Sequence, residues 1–281
     1  MTAVADGSRL HYVEAGSGAP VVLLHGFPEF WYSWRRQLPA LAAAGFRALA
    51  LDLPGYNESE PLARLPHYRI ASLVQRLAEF IRSVAGGRAF VVGHDWGGVL
   101  AFRLAARHPE LVARLAVLNA PHPSAYRAAL ARDPLQWLRS AYVLLFQVHA
   151  LPEWILRAGD FALLERAWRR DAAPGAFSDA DIAAYKHALS KPGRLTAGLN
   201  YYRAALRYGR DLYGEPQKIA APTLVLWGER DPYLGVRLLD SLSAWAPDLC
   251  VERIPEASHW VQHDAPARVN AALIEFFRGM P

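Results

Sequence analysis

The sequence predicts an α/β protein, with a mostly parallel sheet covered by helices on both faces and interrupted by an all-helical insertion. Short apolar runs alternate with amphipathic segments in residues 1–122 and again in residues 214–281, a pattern typical of a parallel sheet buried on both faces. Residues 123–213 instead show helical periodicity rich in Trp, Tyr, Leu and Arg. A length of 281 residues suits one core domain carrying an insertion. We therefore expect a core formed by the two outer segments and a helical cap formed by the middle one.

The individual elements follow from the spacing of apolar residues. Strands are predicted at residues 8–14, 20–24, 46–51, 89–92, 115–118, 223–227 and 249–254. Helices of the core are predicted at residues 70–84, 97–107, 234–244 and 265–277. In the first of these helices Leu73, Leu77 and Phe80 share one face, and Gly86 ends the pattern. In the middle segment one example of a helical pattern runs from Phe161 to Trp168.

Composition and charge exclude several classes of function. Hydrophobic residues make up 53% of the chain, which excludes a mainly disordered protein. The net charge is +5, but the basic residues are scattered among acids without a run of five, so a nucleic-acid partner is not expected. The single cysteine, Cys250, allows neither an internal disulfide nor a thiolate metal site. The sequence shows no signal-peptide layout and no run of about 18 apolar residues. We expect a soluble, cytoplasmic protein without a metal, a cofactor or a membrane partner.

The segment Gly93-His-Asp-Trp-Gly97 follows a predicted strand and opens a predicted helix. It has the layout of a nucleophile elbow, with Asp95 where many hydrolases carry serine. Glycines allow the sharp strand-to-helix turn, and the helix N-terminus favours an anion at its centre. The same residues also fit a helix-capping aspartate in a glycine-rich turn. The hypothesis of a nucleophile at Asp95 therefore depends on partners elsewhere in the chain.

Two such partners occur in the order that an elbow nucleophile requires, which is nucleophile, acid, histidine. Asp231 follows the predicted strand 223–227, and His259 follows the predicted strand 249–254. Each alone is typical of a turn or loop residue. Three such residues in this order, each at the end of a core strand, predict a catalytic triad.

A site that stabilises negative charge on the nucleophile is also predicted. The turn beginning at His25 follows the strand 20–24 directly, and its glycine allows the backbone N–H of Phe27 to point at Asp95. The backbone N–H of Trp96 is the second expected donor. Because one general base is already assigned, we interpret His25 as a structural, hydrogen-bonded histidine.

These motifs together resemble the soluble type of α/β-hydrolase-fold epoxide hydrolase, over essentially the whole chain. The matching stretches are His25-Gly-Phe-Pro-Glu-Phe-Trp-Tyr-Ser-Trp34, Gly93-His-Asp-Trp-Gly-Gly98, Asn119-Ala-Pro-His-Pro123, Gly228-Glu-Arg-Asp231 and Ser258-His259. The resemblance implies two cap tyrosines that activate the epoxide oxygen. They fall on Tyr142, in Tyr142-Val-Leu-Leu-Phe-Gln147, and on Tyr202, in Asn200-Tyr-Tyr-Arg203, where Tyr201 is an adjacent alternative. The loop Asp52-Leu-Pro-Gly-Tyr-Asn57 departs from the family pattern at Pro54 and Asn57, which puts only its local turn in question.

The resemblance implies that an epoxide is hydrolysed to a vicinal diol through an alkyl ester on Asp95. A carboxylate held in line opens the ring, and phenols with a pKa near ~10 match the strongly basic alkoxide that forms. His259, oriented by Asp231, then activates the water that cleaves the ester. Aromatic residues of the cap predict an apolar pocket for an aryl or alkyl epoxide. The expected pocket residues are Phe27, Pro28, Trp96, Phe146 and Trp260.

Alternative functions differ at identifiable residues. A haloalkane dehalogenase shares the aspartate nucleophile and the fold, but usually places Asn where Phe27 stands here. Fluoroacetate-type dehalogenases usually carry Arg where Trp96 stands, and a serine esterase is excluded by Asp95. A non-catalytic small-molecule receptor of the same fold would have no need for all five predicted catalytic side chains. The substrate, the stereoselectivity and the choice between monomer and homodimer stay open.

Overall fold

A computed structural model describes residues 1–213 and 218–279 of the chain. Its sheet has eight strands. They are β1 (Thr2–Ala5), β2 (Ser8–Ala15), β3 (Ala19–Leu24), β4 (Phe46–Leu51), β5 (Ala89–His94), β6 (Val112–Leu118), β7 (Thr223–Gly228) and β8 (Leu249–Ile254). The spatial order is β1-β2-β4-β3-β5-β6-β7-β8. Strand β2 pairs antiparallel with β1 and with β4, and the pairs from β4 through β8 are parallel.

Core helices cover both faces of this sheet. They are α1 (Gln37–Ala43), α2 (Ile70–Val84), α3 (Trp96–Arg107), α11 (Val261–Asp264) and α12 (Pro266–Arg278). Val22 and Leu24 of β3 pack in the cluster that contains α2 and α3. Val21 and Leu23 pack in the cluster that contains α1 and α12. Alternate residues of one strand therefore bury both faces, which is why the strands read as continuous apolar runs.

The helices between β6 and β7 form the cap. They are α4 (Pro123–Arg132), α5 (Pro134–Arg139), α6 (Tyr142–Leu145), α7 (Leu151–Asp171), α8 (Asp179–Ser190), α9 (Arg194–Arg207) and α10 (Gly209–Tyr213). Helix α7 is kinked, because Gly159, Asp160 and Phe161 adopt left-handed dihedral angles inside it. The clear helical pattern from Phe161 to Trp168 thus belongs to the second half of a longer, bent helix. The predicted boundaries of the cap at residues 123 and 213 stay a prediction.

The predicted α/β-hydrolase fold class is confirmed, but four core elements differ from the prediction, among them the short helix α11, which was not predicted. Strand β1 and helix α1 were not predicted, although Asp6-Gly7, both at positive φ, form the tight turn of a β1–β2 hairpin. The helix predicted at 234–244 is wrong, because the backbone forms two 3₁₀ turns, Val236–Leu239 and Leu242–Ala244. Leu238 and Leu242 of those turns are buried, but Ser241 between the turns leaves helical angles (φ −111°, ψ 6°).

The topology places the ends of the parallel strands at one edge of the sheet. Strands β3, β5, β6 and β7 run side by side and end at Leu24, His94, Leu118 and Gly228. The loops that leave this edge carry Phe27, Asp95 and Asp231. No helix within residues 1–213 and 218–279 is long and apolar enough to span a bilayer.

Candidate active site

Asp95 lies in the sharp turn between β5 and α3, at φ 50° and ψ −120°. Any side chain larger than the hydrogen of glycine, placed at either flanking glycine, would collide with backbone atoms. A Cβ on Gly93 would lie 2.4 Å from the carbonyl oxygen of Gly97, and a Cβ on Gly97 would lie 2.1 Å from that of Leu24. The two glycines therefore permit a strained turn that lifts the Asp95 side chain above the sheet at a helix N-terminus.

The turn after β3 approaches Asp95 closely. A Cβ on Gly26 would lie 2.3 Å from the Cβ of Asp95, so only glycine fits there. The next residue, Phe27, donates its backbone N–H to Asp95 Oδ1 at 2.9 Å. Trp96 is the first residue of α3, where a helical N–H has no intrahelical acceptor. One carboxylate oxygen of Asp95 is thus held by a backbone donor, and Oδ2 faces His259.

His259 lies between the two predicted acidic partners. Its Nδ1 is 2.7 Å from Asp231 Oδ2, and its Nε2 is 3.7 Å from Asp95 Oδ2. Burial lowers the pKa of His259, but the charge and hydrogen bond of Asp231, together with the charge of Asp95, outweigh burial and raise that pKa to about 9. The hydrogen bond at Nδ1 fixes the ring and leaves Nε2 to face Asp95. The structure brings Asp95, His259 and Asp231 together.

Asp231 is held by four donors, one of them from a residue that sequence reasoning missed. Its Oδ1 accepts the backbone N–H groups of Tyr233 (2.7 Å) and Leu234 (2.9 Å). Its Oδ2 accepts the Asn119 amide (2.8 Å) in addition to His259. The Asn119 Oδ1 also accepts the N–H of Gly228 at 2.7 Å. Asn119 therefore joins the ends of β6 and β7 and orients the acid. Its place directly after a core strand was the available signal.

A second buried acid, Glu29, lies behind the site and was not predicted. His94 Nδ1 and His263 Nε2 each lie 2.8 Å from a Glu29 oxygen. The interactions with these two histidines outweigh burial and hold the pKa of Glu29 well below its usual range. His94 also bonds through Nε2 to the carbonyl oxygen of His259 at 2.8 Å. Glu29 thus links the turn after β3, the elbow and the histidine loop.

His25 has the structural arrangement that the sequence indicated. Its Nε2 accepts the backbone N–H of Leu53 at 3.0 Å, so its Nδ1 donates to the Gly26 carbonyl at 2.8 Å. The unusual loop that follows β4 is held by Asp52, whose Oδ2 accepts the Asn57 amide at 2.8 Å. The departure from the family pattern at Asn57 is therefore accommodated by a local hydrogen bond.

Tyr142 on α6 and Tyr202 on α9 face the elbow from the cap, and their ring centres are 6.1 Å apart. Tyr202 packs edge-on against Phe27 and Trp96, with ring centres 5.5 and 5.0 Å away. Burial, followed by the nearby Asp95 charge, raises the pKa of Tyr142 well above its ordinary value. Burial, Tyr142 and Asp95 do the same for the pKa of Tyr202. Both phenols are therefore protonated donors at neutral pH.

The neighbouring Tyr201 has a different environment. Its hydroxyl donates to the backbone carbonyl of Pro54 at 2.9 Å, and its ring packs 5.4 Å from that of Tyr56. It is fully buried against the core and lines neither cavity at the site. Between the two adjacent tyrosines, only Tyr202 shares a cavity with Asp95.

Two cavities meet at Asp95, Tyr142, Tyr202 and Leu234, which line both. The first has a volume of about 260 Å³ and contains Trp96 among its lining residues. The second has a volume of about 530 Å³. Four residues predicted for the pocket line the second cavity: Phe27, Pro28, Phe146 and Trp260. The walls are mostly apolar and aromatic, which fits an apolar ligand.

The described part of the chain holds no group of three or more His, Cys, Asp or Glu side chains arranged to bind a metal ion. Among the described residues that line both cavities, the polar groups are the Asp95 carboxylate and the two phenols, and His259 lines the second cavity beside them. Such a set can supply a nucleophile, a base and proton donors.

Comparison with known proteins agrees with this geometry. A family model described as alpha/beta hydrolase fold matches residues 19–266. The chain is 38% identical to the AB hydrolase superfamily protein YfhM of Bacillus subtilis (strain 168), over 97% of this chain and 96% of that protein. It is 39% identical to epoxide hydrolase 3 of Xenopus tropicalis, over 97% of this chain and 76% of the relative.

Solved structures are similar over the full length. An epoxide hydrolase of Bacillus megaterium, determined with an inhibitor, matches with a TM-score of 0.91 at 30% identity and covers 99% of this chain and 100% of its own. Epoxide hydrolase A of Mycobacterium thermoresistibile matches with a TM-score of 0.86 at 30% identity, over 100% of this chain and 98% of its own. The chain therefore belongs to the α/β-hydrolase fold family and, within it, to the epoxide hydrolases.

Proposed function

We propose that this protein hydrolyses an apolar epoxide to a vicinal diol through an alkyl ester on Asp95. The observation that carries the proposal is the pair of protonated phenols, Tyr142 and Tyr202, that line the same two cavities as the Asp95 carboxylate. A nucleophile and two proton donors on opposite walls match a reaction in which a carbon is attacked while its oxygen gains a proton. The relatives named epoxide hydrolase support the same reaction class.

In the first step, the Asp95 carboxylate attacks one epoxide carbon. Its Oδ1 is engaged by the Phe27 N–H, so Oδ2 is the oxygen that forms the new C–O bond. The ring C–O bond breaks, and the electron pair stays on the epoxide oxygen. Tyr142 and Tyr202 donate hydrogen bonds to that oxygen, and one phenolic proton completes the hydroxyl group of the product.

In the second step, His259 removes a proton from a water molecule that attacks the carboxyl carbon of the Asp95 ester. The negative charge then grows on Oδ1, which the Phe27 N–H already contacts and the Trp96 N–H can stabilise. Collapse releases the diol with the former Oδ2, which takes the second proton of the water, and the water oxygen stays in the Asp95 carboxylate. The proton held by His259 then returns to the tyrosinate left by the first step, which restores both side chains. Asp231 keeps the His259 ring aligned and stabilises its positive charge.

The substrate class follows from the cavity walls. The larger cavity is lined by Phe146, Leu156, Leu164, Trp168 and other apolar side chains. A cavity of about 150 Å³ holds a benzene ring, so a volume of about 530 Å³ accepts an aryl or long alkyl group with room to spare. We therefore propose aryl or alkyl epoxides as substrates.

The experiment that tests the proposal is a single turnover of styrene oxide in water enriched in ¹⁸O. We expect the first diol to carry ordinary oxygen and the label to appear in the peptide that contains Asp95. Label in the diol during the first turnover would indicate direct attack by water and would contradict the ester. A bromoalkane of similar size serves as the comparison substrate, and faster turnover of the bromoalkane would favour a dehalogenase.

A further inference from the structure

The surface of the cap exposes an unusual cluster of large apolar side chains. Most of the large apolar side chains that are exposed in the described structure fall in one segment, residues 135–154, which spans α5, α6 and the start of α7. We call them the cap apolar face: Leu135, Trp137, Leu138, Leu144, Leu145, Val148, Leu151 and Trp154. Trp154 and Leu138 are 71% and 67% exposed. A segment that exposes this many large apolar side chains is a candidate interaction surface.

The cap also carries the whole net charge of the chain. Residues 123–213 contain 13 Lys+Arg against 8 Asp+Glu, and the other residues contain 18 of each. Seven of the eight cap acids are paired with a basic side chain of the described structure: Glu153, Asp160, Glu165, Asp171, Asp179, Asp181 and Asp211. The eighth, Asp133, caps the N-terminus of α5. The excess positive charge is therefore not neutralised within the cap.

Four exposed arginines of the cap lie within three residues of an exposed large apolar side chain. They are Arg132, Arg157, Arg166 and Arg207, and none has a carboxylate partner within residues 1–213 and 218–279. Trp154 and Arg157 share one face of α7 before the kink, and Leu163 and Arg166 share one face after it. Helices that lie in a membrane interface typically expose Trp and Leu next to Arg, as these helices do.

Part of the cap apolar face lies at the two cavities. Trp137 and Leu144 are exposed and also line the first cavity. Leu145 is exposed and lines the second, as do Leu163 and Arg166. A surface seated on this face would therefore lie at both openings to Asp95.

We propose that the cap apolar face docks on a lipid surface with anionic headgroups. The apolar side chains enter the boundary between headgroups and acyl chains, and the arginines contact the anionic phosphates. A second copy of the chain is the less favourable occupant, because two such faces would bring uncompensated positive charge together. No membrane partner was expected from the sequence, because it contains no run of apolar residues long enough to span a bilayer. The presence or absence of such a run does not bear on docking at a membrane surface.

Docking would also bring the cavity openings close to an apolar substrate dissolved in the lipid. This consequence of docking rests on the proposed function. An apolar epoxide partitions into lipid, so its concentration at the cavity openings is higher on a bilayer than in water. The product diol is more polar and leaves to water.

The experiment is co-sedimentation of the full chain with phosphatidylcholine vesicles that contain or lack phosphatidylglycerol. We expect binding only to the anionic vesicles, weakened by salt through screening. The variant Leu138→Gln/Trp154→Gln should lower the partition coefficient by at least about tenfold, since both apolar side chains lose their burial in lipid. Neither residue lines a cavity, so turnover of a water-dissolved epoxide should not change.

Matched controls are available in the core. Arg132→Gln/Arg157→Gln/Arg207→Gln should weaken binding by about fivefold for each charge lost. Arg9→Gln/Arg64→Gln/Arg88→Gln removes the same net charge from exposed core positions and should have a much smaller effect. Val4→Gln/Val251→Gln controls for the loss of two exposed apolar side chains outside the cap.

Two results would overturn the proposal. One is equal binding of the native protein and the cap variants, or no binding to anionic vesicles at all. The other is sedimentation of the native protein as a dimer that Leu138→Gln/Trp154→Gln dissociates, which would assign the face to a second copy. Both readouts are independent of turnover. A catalytically inactive protein that still binds anionic vesicles through the cap would contradict the proposed function and leave the docking proposal standing.

Discussion

The core and the cap contribute chemically different groups to one site. The core side consists of charged groups held by backbone and amide donors: Asp95 is held by the Phe27 N–H, and Asp231 accepts four hydrogen bonds. The cap side consists of two phenols among aromatic rings, with Phe146 5.1 Å from Tyr202 and 5.3 Å from Tyr142. The charges lie where fixed dipoles stabilise them, and the neutral donors lie where burial keeps them protonated.

This difference suggests that the two steps of the proposed reaction depend on different regions of the protein. In the proposed mechanism, ring opening needs Asp95 from the core and the two tyrosines from the cap. In the same mechanism, ester hydrolysis needs His259, Asp231 and the backbone donors, which all belong to the core. Substitutions in the two regions should therefore be separable by measuring alkylation and hydrolysis independently.

The largest effect is expected for Asp95→Ala. Loss of the nucleophile should lower kcat/KM for styrene oxide by at least about 10⁴-fold, the scale seen when a covalent nucleophile is removed. The fold should persist, because the Asp95 side chain borders a cavity and is 17% exposed. Circular dichroism and a melting curve provide the control. Near-native turnover in the variant would argue for direct attack by water.

His259→Gln should stop the reaction after the ester on Asp95 has formed. Alkylation requires only Asp95 and the tyrosines, so the first step should continue while steady-state turnover falls by about 10³-fold or more. Mass spectrometry after mixing with substrate should show a stable adduct on the peptide that contains Asp95. An unmodified peptide at saturating substrate would contradict the ester intermediate.

The double variant Tyr142→Phe/Tyr202→Phe tests the contribution of the cap. Each single change should cost about 1–3 kcal/mol of transition-state stabilisation in the alkylation step, and the double change should leave almost no ring opening. Turnover of a bromoalkane should depend far less on the pair, because a halide leaves without a proton. Tyr201→Phe is the matched control, since that hydroxyl bonds the Pro54 carbonyl and lines neither cavity. Native-like ring opening in the double variant would remove the tyrosines from the mechanism.

Asn119→Ala should have a smaller effect that is confined to the core half of the reaction. Asp231 loses the amide donor at 2.8 Å, so His259 is oriented less well and ester hydrolysis should slow by about tenfold, equivalent to about 1.4 kcal/mol. The alkylation rate should stay close to native. Asn270→Ala, which removes an amide bonded to the Arg36 carbonyl, is the control for loss of an asparagine. Equal slowing of both steps would indicate general disorder of the site.

The smallest effect is a shift in the pKa of His259. Asp95 helps to raise this pKa to about 9 in the free protein, and esterification removes the Asp95 charge. His259 must be neutral to act as a base, so hydrolysis should rise with pH up to a pKa below about 9 and then level off. Asp95→Asn imitates the neutral ester, and NMR titration should give a lower pKa for His259 in that variant than in the native protein. An unchanged or higher pKa would mean that Asp95 does not contribute to the shift.

The core was more predictable from sequence than the cap. Core strands are short apolar runs bounded by turn residues, so seven of the eight were predicted, and the triad candidates follow directly from strand ends. The helix predicted at 234–244 was wrong because Leu238 and Leu242 have the spacing of a helical face but belong to separate 3₁₀ turns. In the cap, the tyrosines came from a resemblance, since helical periodicity alone does not distinguish Tyr201 from Tyr202.

By itself, the sequence determined the α/β core, the elbow around Asp95 and the order of its acid and histidine, because these are local or depend on strand ends meeting at one edge. Tertiary structure alone decided which tyrosine of the adjacent pair shares a cavity with Asp95, that Asn119 orients Asp231, and that Glu29 joins two histidines behind the site. It also decided which apolar cap residues are exposed. The physical reason is that burial and hydrogen-bond partners depend on residues more than a hundred positions apart, such as Asn119 and Asp231, and no local pattern encodes those distances.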